Sequence, residues 1–80
     1  MKKILLIDDN KLAHEMLIRM VVKFADGPWE LDWADTYDGG LKKLGEGRHA
    51  VCLLDYRLDD SRDGLQLLRE ARAAGNRTPT

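Results

Sequence analysis

Three short segments of this chain have the apolar and polar patterns of β-strands. Two continuous apolar runs, at Lys3–Asp8 and Ala50–Asp55, have the length and composition of strands buried on both faces of a parallel sheet. Between them, Trp29–Ala34 alternates strictly between apolar and acidic side chains up to its last residue. That alternation is typical of a strand with one exposed face, so we expect this segment at a sheet edge.

Apolar residues at helical spacing predict a helix after each strand. The first covers Lys11–Ala25 and is stopped by the turn residues Asp26–Pro28. The second is weaker and extends from Tyr37 to the glycines near residue 45. The third begins after Asp63, which has the character of an N-cap, and is expected to face the core with Leu65, Leu68 and Ala71.

The resulting order is βαβαβα, which with right-handed crossovers predicts an α/β fold around an open parallel sheet. The last four residues, Arg77–Thr80, have the pattern of a lead-in to a fourth strand, and the sequence stops there. We therefore expect residues 1–80 to form one incomplete domain that lacks its further strands.

Composition narrows the range of functions. Thirteen basic against fourteen acidic residues give a net charge of −1, without the basic excess of a nucleic-acid-binding domain. The single cysteine, Cys52, excludes an intrachain disulfide and fits a reducing compartment. The longest apolar runs, Ile4–Ile7 and Ala50–Leu54, are far shorter than the ~20 residues that cross a bilayer. These features predict a cytoplasmic protein without direct contact to nucleic acid or membrane.

Carboxylates follow both buried strands. Asp8 and Asp9 come directly after the first strand, and Asp55 closes the third. Ligands of open parallel sheets bind at the carboxyl ends of the strands, so these three acids are expected to meet there if the two strands are neighbours. Carboxylates that lie so close together cannot all ionise easily unless a cation lies among them. Mg²⁺, which prefers oxygen ligands, is the cation we expect there.

Three segments together resemble the receiver domain of bacterial two-component response regulators. They are Ile4–Asn10, Val51–Leu58 and Asp63–Leu65, in the order that the family has them. The resemblance implies a flavodoxin-like α/β fold, here truncated to three βα units with strand order 2-1-3.

The resemblance also implies a role for each site residue. Asp55 corresponds to the phospho-acceptor, Asp9 to the direct Mg²⁺ ligand, and Asp8 to the acid that holds the metal through water. The backbone carbonyl of Arg57 corresponds to the third protein oxygen on the Mg²⁺ cofactor. Aspartate can accept a phosphoryl group as an aspartyl-phosphate, so the implied chemistry is consistent with the residues present.

The implied partners are a histidine kinase or phosphotransfer protein as phosphodonor and an output domain or partner protein beyond residue 80. Such a domain catalyses its own phosphorylation and dephosphorylation and turns over no separate substrate, so it is not expected to be an enzyme. Asp59 departs from the proline that the family often has there. The hydroxyl residue of the family's fourth strand and the lysine of its fifth have no counterpart in these residues, so phosphorylation of the 80-residue chain is expected to be slow or absent.

Three alternatives start from the same residues. The spacing from Asp59 to Glu70 fits an EF-hand Ca²⁺ loop, although Gln66 and Leu67 stand where that loop has an apolar and then a polar residue. A phosphatase of the aspartate-nucleophile type is disfavoured by Arg57, which occupies the place of its second acid. A non-phosphorylatable assembly module is the third alternative, in which the sheet serves only as a scaffold.

The third strand is also expected to associate. Ala50–Leu54 carries neither charge nor proline, and in strand order 2-1-3 its outer edge lacks a neighbour. We therefore expect a homodimer joined antiparallel at that edge, or another association in which a partner chain supplies a parallel strand there. We expect His14 and His49 at the surface, and Cys52 to be a small buried residue rather than a nucleophile.

Overall fold

A computed structural model describes residues 2–23, 28–58 and 61–80. The predicted order of elements is confirmed: β1 (Lys2–Ile7), α1 (Lys11–Val21), β2 (Trp29–Ala34), α2 (Tyr37–Gly45), β3 (Val51–Leu54) and α3 (Gly64–Ala73). The predicted end of the first helix at residues 24–25 and the first two residues of the turn at 26–28 lie outside the described residues. The same holds for the loop residues Asp59 and Asp60.

The sheet is parallel, with β1 between β2 and β3. The predicted strand order 2-1-3 of a flavodoxin-like fold is therefore confirmed, and β2 is an edge strand as its alternation predicted. Ile7 is in register with Ala34 on one side and Leu54 on the other, so the three strands end at the same level. Residues that follow these strands leave the sheet along one edge.

The core lies between one face of the sheet and the helices α2 and α3. Its largest fully buried side chains are Tyr37, Leu5, Ile7, Leu44, Leu67 and Cys52. The predicted inner stripe of α3 is confirmed at Ala71 and wrong at Leu65: Leu67 and Ala71 are buried, Leu68 is half-buried, and Leu65 is 46% exposed. The helix begins at Gly64, which packs against the end of β3, so positions three and seven residues later face the sheet.

The helix α1 has far more exposed apolar surface than its pattern predicted. Among its residues only Val21 is buried, and Ile4 and Leu6 of β1 are buried on the sheet face opposite the core. Large apolar side chains of α1 and its C-cap are exposed, namely Leu12, Met16, Ile18, Met20 and Val22. Helical spacing identified the helix correctly, but the width of the buried stripe depends on how many elements cover this face of the sheet.

His49 is buried rather than at the surface. Its side chain is 1% exposed, and Nε2 lies 3.1 Å from Oδ2 of Asp32 in β2. Lys43 of α2 donates to the other oxygen of that carboxylate at 3.0 Å. Burial by itself would raise the pKa of Asp32, but the hydrogen bonds from His49 and Lys43 outweigh it and lower that pKa. The cluster joins β2, α2 and the segment before β3.

The outer side of β3 is partly covered by the end of the described chain. The amide of Cys52 donates to the carbonyl of Pro79 at 2.7 Å, and Thr78 is buried. The predicted lead-in to a fourth strand thus runs beside β3, and the expectation of an edge without any neighbour holds only in part. Burial raises the pKa of the Cys52 thiol to about 11, which agrees with a small core residue rather than a nucleophile.

No helix within the described residues is long and apolar enough to cross a membrane.

Candidate metal and phosphoryl site

Three carboxylates predicted from separate segments meet at the carboxyl edge of the sheet. Asp8, Asp9 and Asp55 each place a carboxylate oxygen within 4.8 Å of the other two. They meet because β1 and β3 are parallel neighbours whose last residues, Ile7 and Leu54, are in register. Asp8 and Asp55 are half-buried and Asp9 is exposed, so the cluster opens toward solvent on one side.

Backbone hydrogen bonds fix the two strand ends that carry these acids. The amide of Asp8 donates to the carbonyl of Ala34 at 3.0 Å, and the amide of Asp55 donates to the carbonyl of Ile7 at 2.9 Å. Both residues therefore continue the ladder of the sheet by one further bond. The sheet therefore fixes the backbone positions from which the side chains of Asp8 and Asp55 extend.

The turn between β1 and α1 is built on side-chain acceptors. Oδ1 of Asp8 accepts from the amide of Asn10 at 2.9 Å, and Oδ1 of Asn10 accepts from the amide of Leu12 at 2.9 Å. Asn10 is thereby the N-cap of α1. The Asp8 carboxylate therefore belongs both to this turn and to the acidic cluster.

The electrostatics of the cluster favour a cation. The pKa of Asp8 is raised, first by burial and then by the negative charges of Asp55 and Asp9, against the opposing effect of the Asn10 amide. Three oxygen ligands at this spacing suit a hard divalent cation such as Mg²⁺, which would offset that repulsion. The donor set therefore fits the predicted metal.

The start of α3 packs directly under Asp55. The amide of Gly64 donates to the carbonyl of Tyr56 at 2.6 Å, and a Cβ on Gly64 would overlap the carbonyl oxygen of Asp55. Arg57 forms an isolated antiparallel bridge with Asp63, which closes the base of the loop after β3. The use of the Arg57 carbonyl as a metal ligand stays a prediction.

A groove of about 480 Å³ leads along β3 to Asp55. Its walls are the outer side of β3, the first turns of α3 and the end of the described chain: residues 52–56, Gly64, Leu65, Leu68 and Thr80. The lining is mostly apolar, with Asp55 at one end. The Asp55 carboxylate therefore lies beside this groove as well as beside the exposed Asp9.

Two residues of the site were missed by the sequence analysis. Nε1 of Trp33 donates to the backbone carbonyl of Asp8 at 2.8 Å. His14 of α1 stacks on the Trp33 ring, with 4.2 Å between ring centroids and an interplanar angle of 11°. From the sequence, Trp33 is placed only within the edge strand and His14 is expected at the surface. The available signal was position, since Trp33 is the penultimate residue of a strand that ends at the acidic edge.

The EF-hand alternative is disfavoured by the elements around its loop. A strand, β3, precedes the loop where an EF-hand requires a helix. Asp63 is the N-cap of α3 and accepts from the amide of Gln66 at 2.9 Å. Asp59, the first ligand position of that alternative, lies outside the described residues.

Comparison with known proteins identifies the fold. No protein-family model and no curated protein sequence matches the chain. Among solved structures, the chain is similar to a CheY-like response regulator receiver domain protein from Methanospirillum hungatei JF-1, with 25% identity and a TM-score of 0.78. The alignment covers 94% of this chain and 57% of that one. The resemblance to a receiver domain is thereby confirmed.

A second similar structure is a fusion that carries the yeast Spc42 trimeric coiled coil, amino acids 181–211. It has 24% identity and a TM-score of 0.78, covering 98% of this chain and 50% of that one, and at this identity the similarity shows the fold alone. The chain thus spans about half the length of these two structures.

Proposed function

We propose that this chain, which has the fold of a CheY-like receiver, accepts a phosphoryl group on Asp55. The observation that carries the proposal is the convergence of Asp8, Asp9 and Asp55, whose carboxylate oxygens lie within 4.8 Å of one another at the edge of the sheet. In the proposed reaction a carboxylate oxygen of Asp55 attacks the phosphorus of a donor, and the bond from phosphorus to the leaving group breaks.

Asp9, Asp55 and the Arg57 carbonyl would hold Mg²⁺ directly, and Asp8 would hold it through water. The metal, when bound, would neutralise charge on the oxygens of the transferring group. The chain's own residues supply the framework. The strand-end hydrogen bonds of Asp8 and Asp55 set the two carboxylates in place, and the turn at Asn10 orients Asp8.

The partners of the proposed function are a phosphodonor and an output module. A phosphohistidine of a histidine kinase or phosphotransfer protein is the donor, and its imidazole is the leaving group. The output domain or partner protein would respond to the phosphorylated state. We place the protein in the cytoplasm on the basis of its single cysteine, and we assign it no separate substrate and hence no enzyme class.

Association through β3 is a further part of the proposal. Pro79 occupies the outer edge at Cys52, but Leu53 is 41% exposed and the groove continues to Asp55. Two copies paired antiparallel along this stretch would join two three-stranded sheets into one of six strands.

Phosphorylation of Asp55 can be tested with a small phosphodonor. We expect the chain to gain one phosphoryl group slowly in acetyl phosphate with Mg²⁺, observed by intact-protein mass spectrometry over time, and Asp55→Asn to gain none. Asp35→Asn is the matched control, because Asp35 follows β2 at the same edge of the sheet but is not part of the three-carboxylate cluster. Equal phosphorylation of Asp55→Asn and the unmodified chain would refute the assignment.

A further inference from the structure

We propose that Trp33 is a positioning residue for the metal ligands: it fixes the peptide unit between Asp8 and Asp9, with His14 holding its ring in place. The inference rests on the proposed function for its consequence, Mg²⁺ affinity. Its structural part, the clamp on the turn after β1, stands independently of any metal.

A hydrogen bond to the carbonyl of Asp8 restrains the backbone of both acids in the Asp8–Asp9 pair. It belongs to the planar peptide unit whose amide is that of Asp9, so a bond to this oxygen fixes ψ of Asp8 and φ of Asp9 together. The indole of Trp33 makes that bond at 2.8 Å in a partly buried setting. One side chain therefore restrains the backbone between the two acids of the pair.

The clamp acts with a second bond from the same strand. The amide of Asp8 donates to the carbonyl of Ala34 at 3.0 Å, while its carbonyl accepts from Trp33. The peptide units on both sides of Asp8 are thus tied to the last two residues of β2. Because β2 contributes no carboxylate to the cluster, its role at the site is to hold the turn that does.

His14 restrains the indole from the side of α1. The two rings are stacked with an interplanar angle of 11° and a centroid distance of 4.2 Å, which restricts rotation of the Trp33 side chain. His14 lies one turn after the Asn10 N-cap, so the same helix start that follows the acidic turn also supports its clamp. The contact joins β1, α1 and β2 at one point.

Trp33→Phe removes the indole N–H while keeping a ring for His14 to stack on. Loss of one hydrogen bond of this kind predicts Mg²⁺ binding weaker by about two- to tenfold in isothermal titration calorimetry. Trp29→Phe is the matched control, because Trp29 lies at the other end of the same strand. Its ring lies beneath Lys2, with which it is in register, and Lys2 is six residues before Asp8. We expect its Mg²⁺ affinity to be unchanged.

A metal-free measurement separates this proposal from the proposed function. In hydrogen exchange without metal, we expect the amides of Asp8 and Asn10 to exchange about two- to tenfold faster in Trp33→Phe than in Trp29→Phe. Equal exchange in the two variants would overturn the clamp. Failure of the unmodified chain to bind Mg²⁺ would refute the proposed function but leave this comparison decisive.

The unmodified chain offers a third readout that needs no variant to fold. The indole N–H resonance of Trp33 should shift during a Mg²⁺ titration with the midpoint of metal binding, while that of Trp29 stays in place. Metal binding that leaves the Trp33 resonance unmoved would contradict the proposal.

Discussion

At the residue scale, the three acids of the cluster are held in different ways. Asp8 is restrained through its amide, its carbonyl and one carboxylate oxygen, by Ala34, Trp33 and Asn10 in turn. Asp55 is restrained through its amide by Ile7 and from below by Gly64. Asp9 is exposed and follows the clamped peptide unit. Asp8 and Asp55 therefore form the rigid part of the site, and Asp9 is the residue most able to adjust to a ligand.

The raised pKa of Asp8 predicts a pH dependence of stability. Burial and the charges of Asp55 and Asp9 make the folded chain bind the Asp8 proton more tightly than the unfolded chain does, relative to the ordinary value of 3.8. The corresponding stabilisation is present below 3.8 and is lost as pH rises through the folded pKa above it. Asp8→Asn should abolish this loss, because an amide carries no charge and its oxygen can still accept from Asn10.

Urea unfolding in EDTA, from about pH 3.5 to neutral, measures this effect through the free energy of unfolding. We expect Asp8→Asn to gain stability over the unmodified chain as pH rises, and Mg²⁺ to stabilise the unmodified chain preferentially. A variant that is no more stable at neutral pH would show that the charges of the cluster do not oppose folding.

Asp9 is the residue on which metal binding should depend most. Asp9→Ala removes an exposed carboxylate, so we expect it to abolish Mg²⁺ binding in calorimetry while changing the free energy of unfolding by no more than about 0.5 kcal/mol without metal. Asp35→Ala, an exposed acid after β2 outside the cluster, should bind Mg²⁺ as the unmodified chain does. Equal affinity in Asp9→Ala would mean that the metal lies elsewhere.

At the scale of elements, the site depends on how closely α3 approaches β3. Gly64 begins the helix, and a Cβ there would overlap the Asp55 carbonyl. Asp63 caps the helix, and its backbone forms the isolated β-bridge with Arg57. The packing that buries Leu67 and Ala71 therefore also sets the backbone of Asp55. The contact between Gly64 and the Asp55 carbonyl therefore affects both the stability of the fold and the geometry of the acidic cluster.

Gly64→Ala should disturb both. The added methyl group must displace α3 or the end of β3, which we expect to cost about 1–3 kcal/mol of unfolding free energy and to weaken Mg²⁺ binding through Asp55. Gly45→Ala is the control, since a Cβ at the end of α2 meets nothing within 4 Å. It should be neutral or stabilising by up to about 1 kcal/mol. Similar losses in both variants, measured by urea unfolding, would contradict the close approach.

At the scale of the whole molecule, the two faces of the sheet are unequally covered. The face under α2 and α3 holds the fully buried core, whereas α1 leaves large apolar side chains exposed on the other side. The edge at β3 is covered at Cys52 by Pro79 and open beyond it. Either the α1 surface or the β3 edge could make the chain associate, and the two can be separated by substitution.

Association through β3 predicts that Leu53→Glu yields a monomer. A glutamate at this position would place like charges close together across the two-fold axis of an antiparallel pair. Ile18→Glu on α1 is the matched control, because Ile18 is 42% exposed and Leu53 is 41% exposed. In sedimentation at micromolar concentration we expect the control to associate as the unmodified chain does. Dissociation by Ile18→Glu alone would assign the interface to α1 instead.

Much of the fold was predictable because its signals are local. Continuous apolar runs identified β1 and β3, strict alternation identified the edge strand β2, and the cap residue Asp63 marked the start of α3. The acidic site was predictable for a related reason: parallel strands in one sheet bring their carboxyl ends to one edge, so Asp8, Asp9 and Asp55 had to converge once β1 and β3 were neighbours.

The tertiary structure alone decided which side chains fill the space around that site. The burial of His49 depends on Asp32 and Lys43, which come from two other elements. The exposure of α1 depends on what covers its face of the sheet, and the bond from Trp33 to Asp8 depends on a register between β1 and β2 that no local pattern records. Sequence periodicity reports what one segment can bury, whereas the partner of a polar group is set by packing between segments distant in the chain.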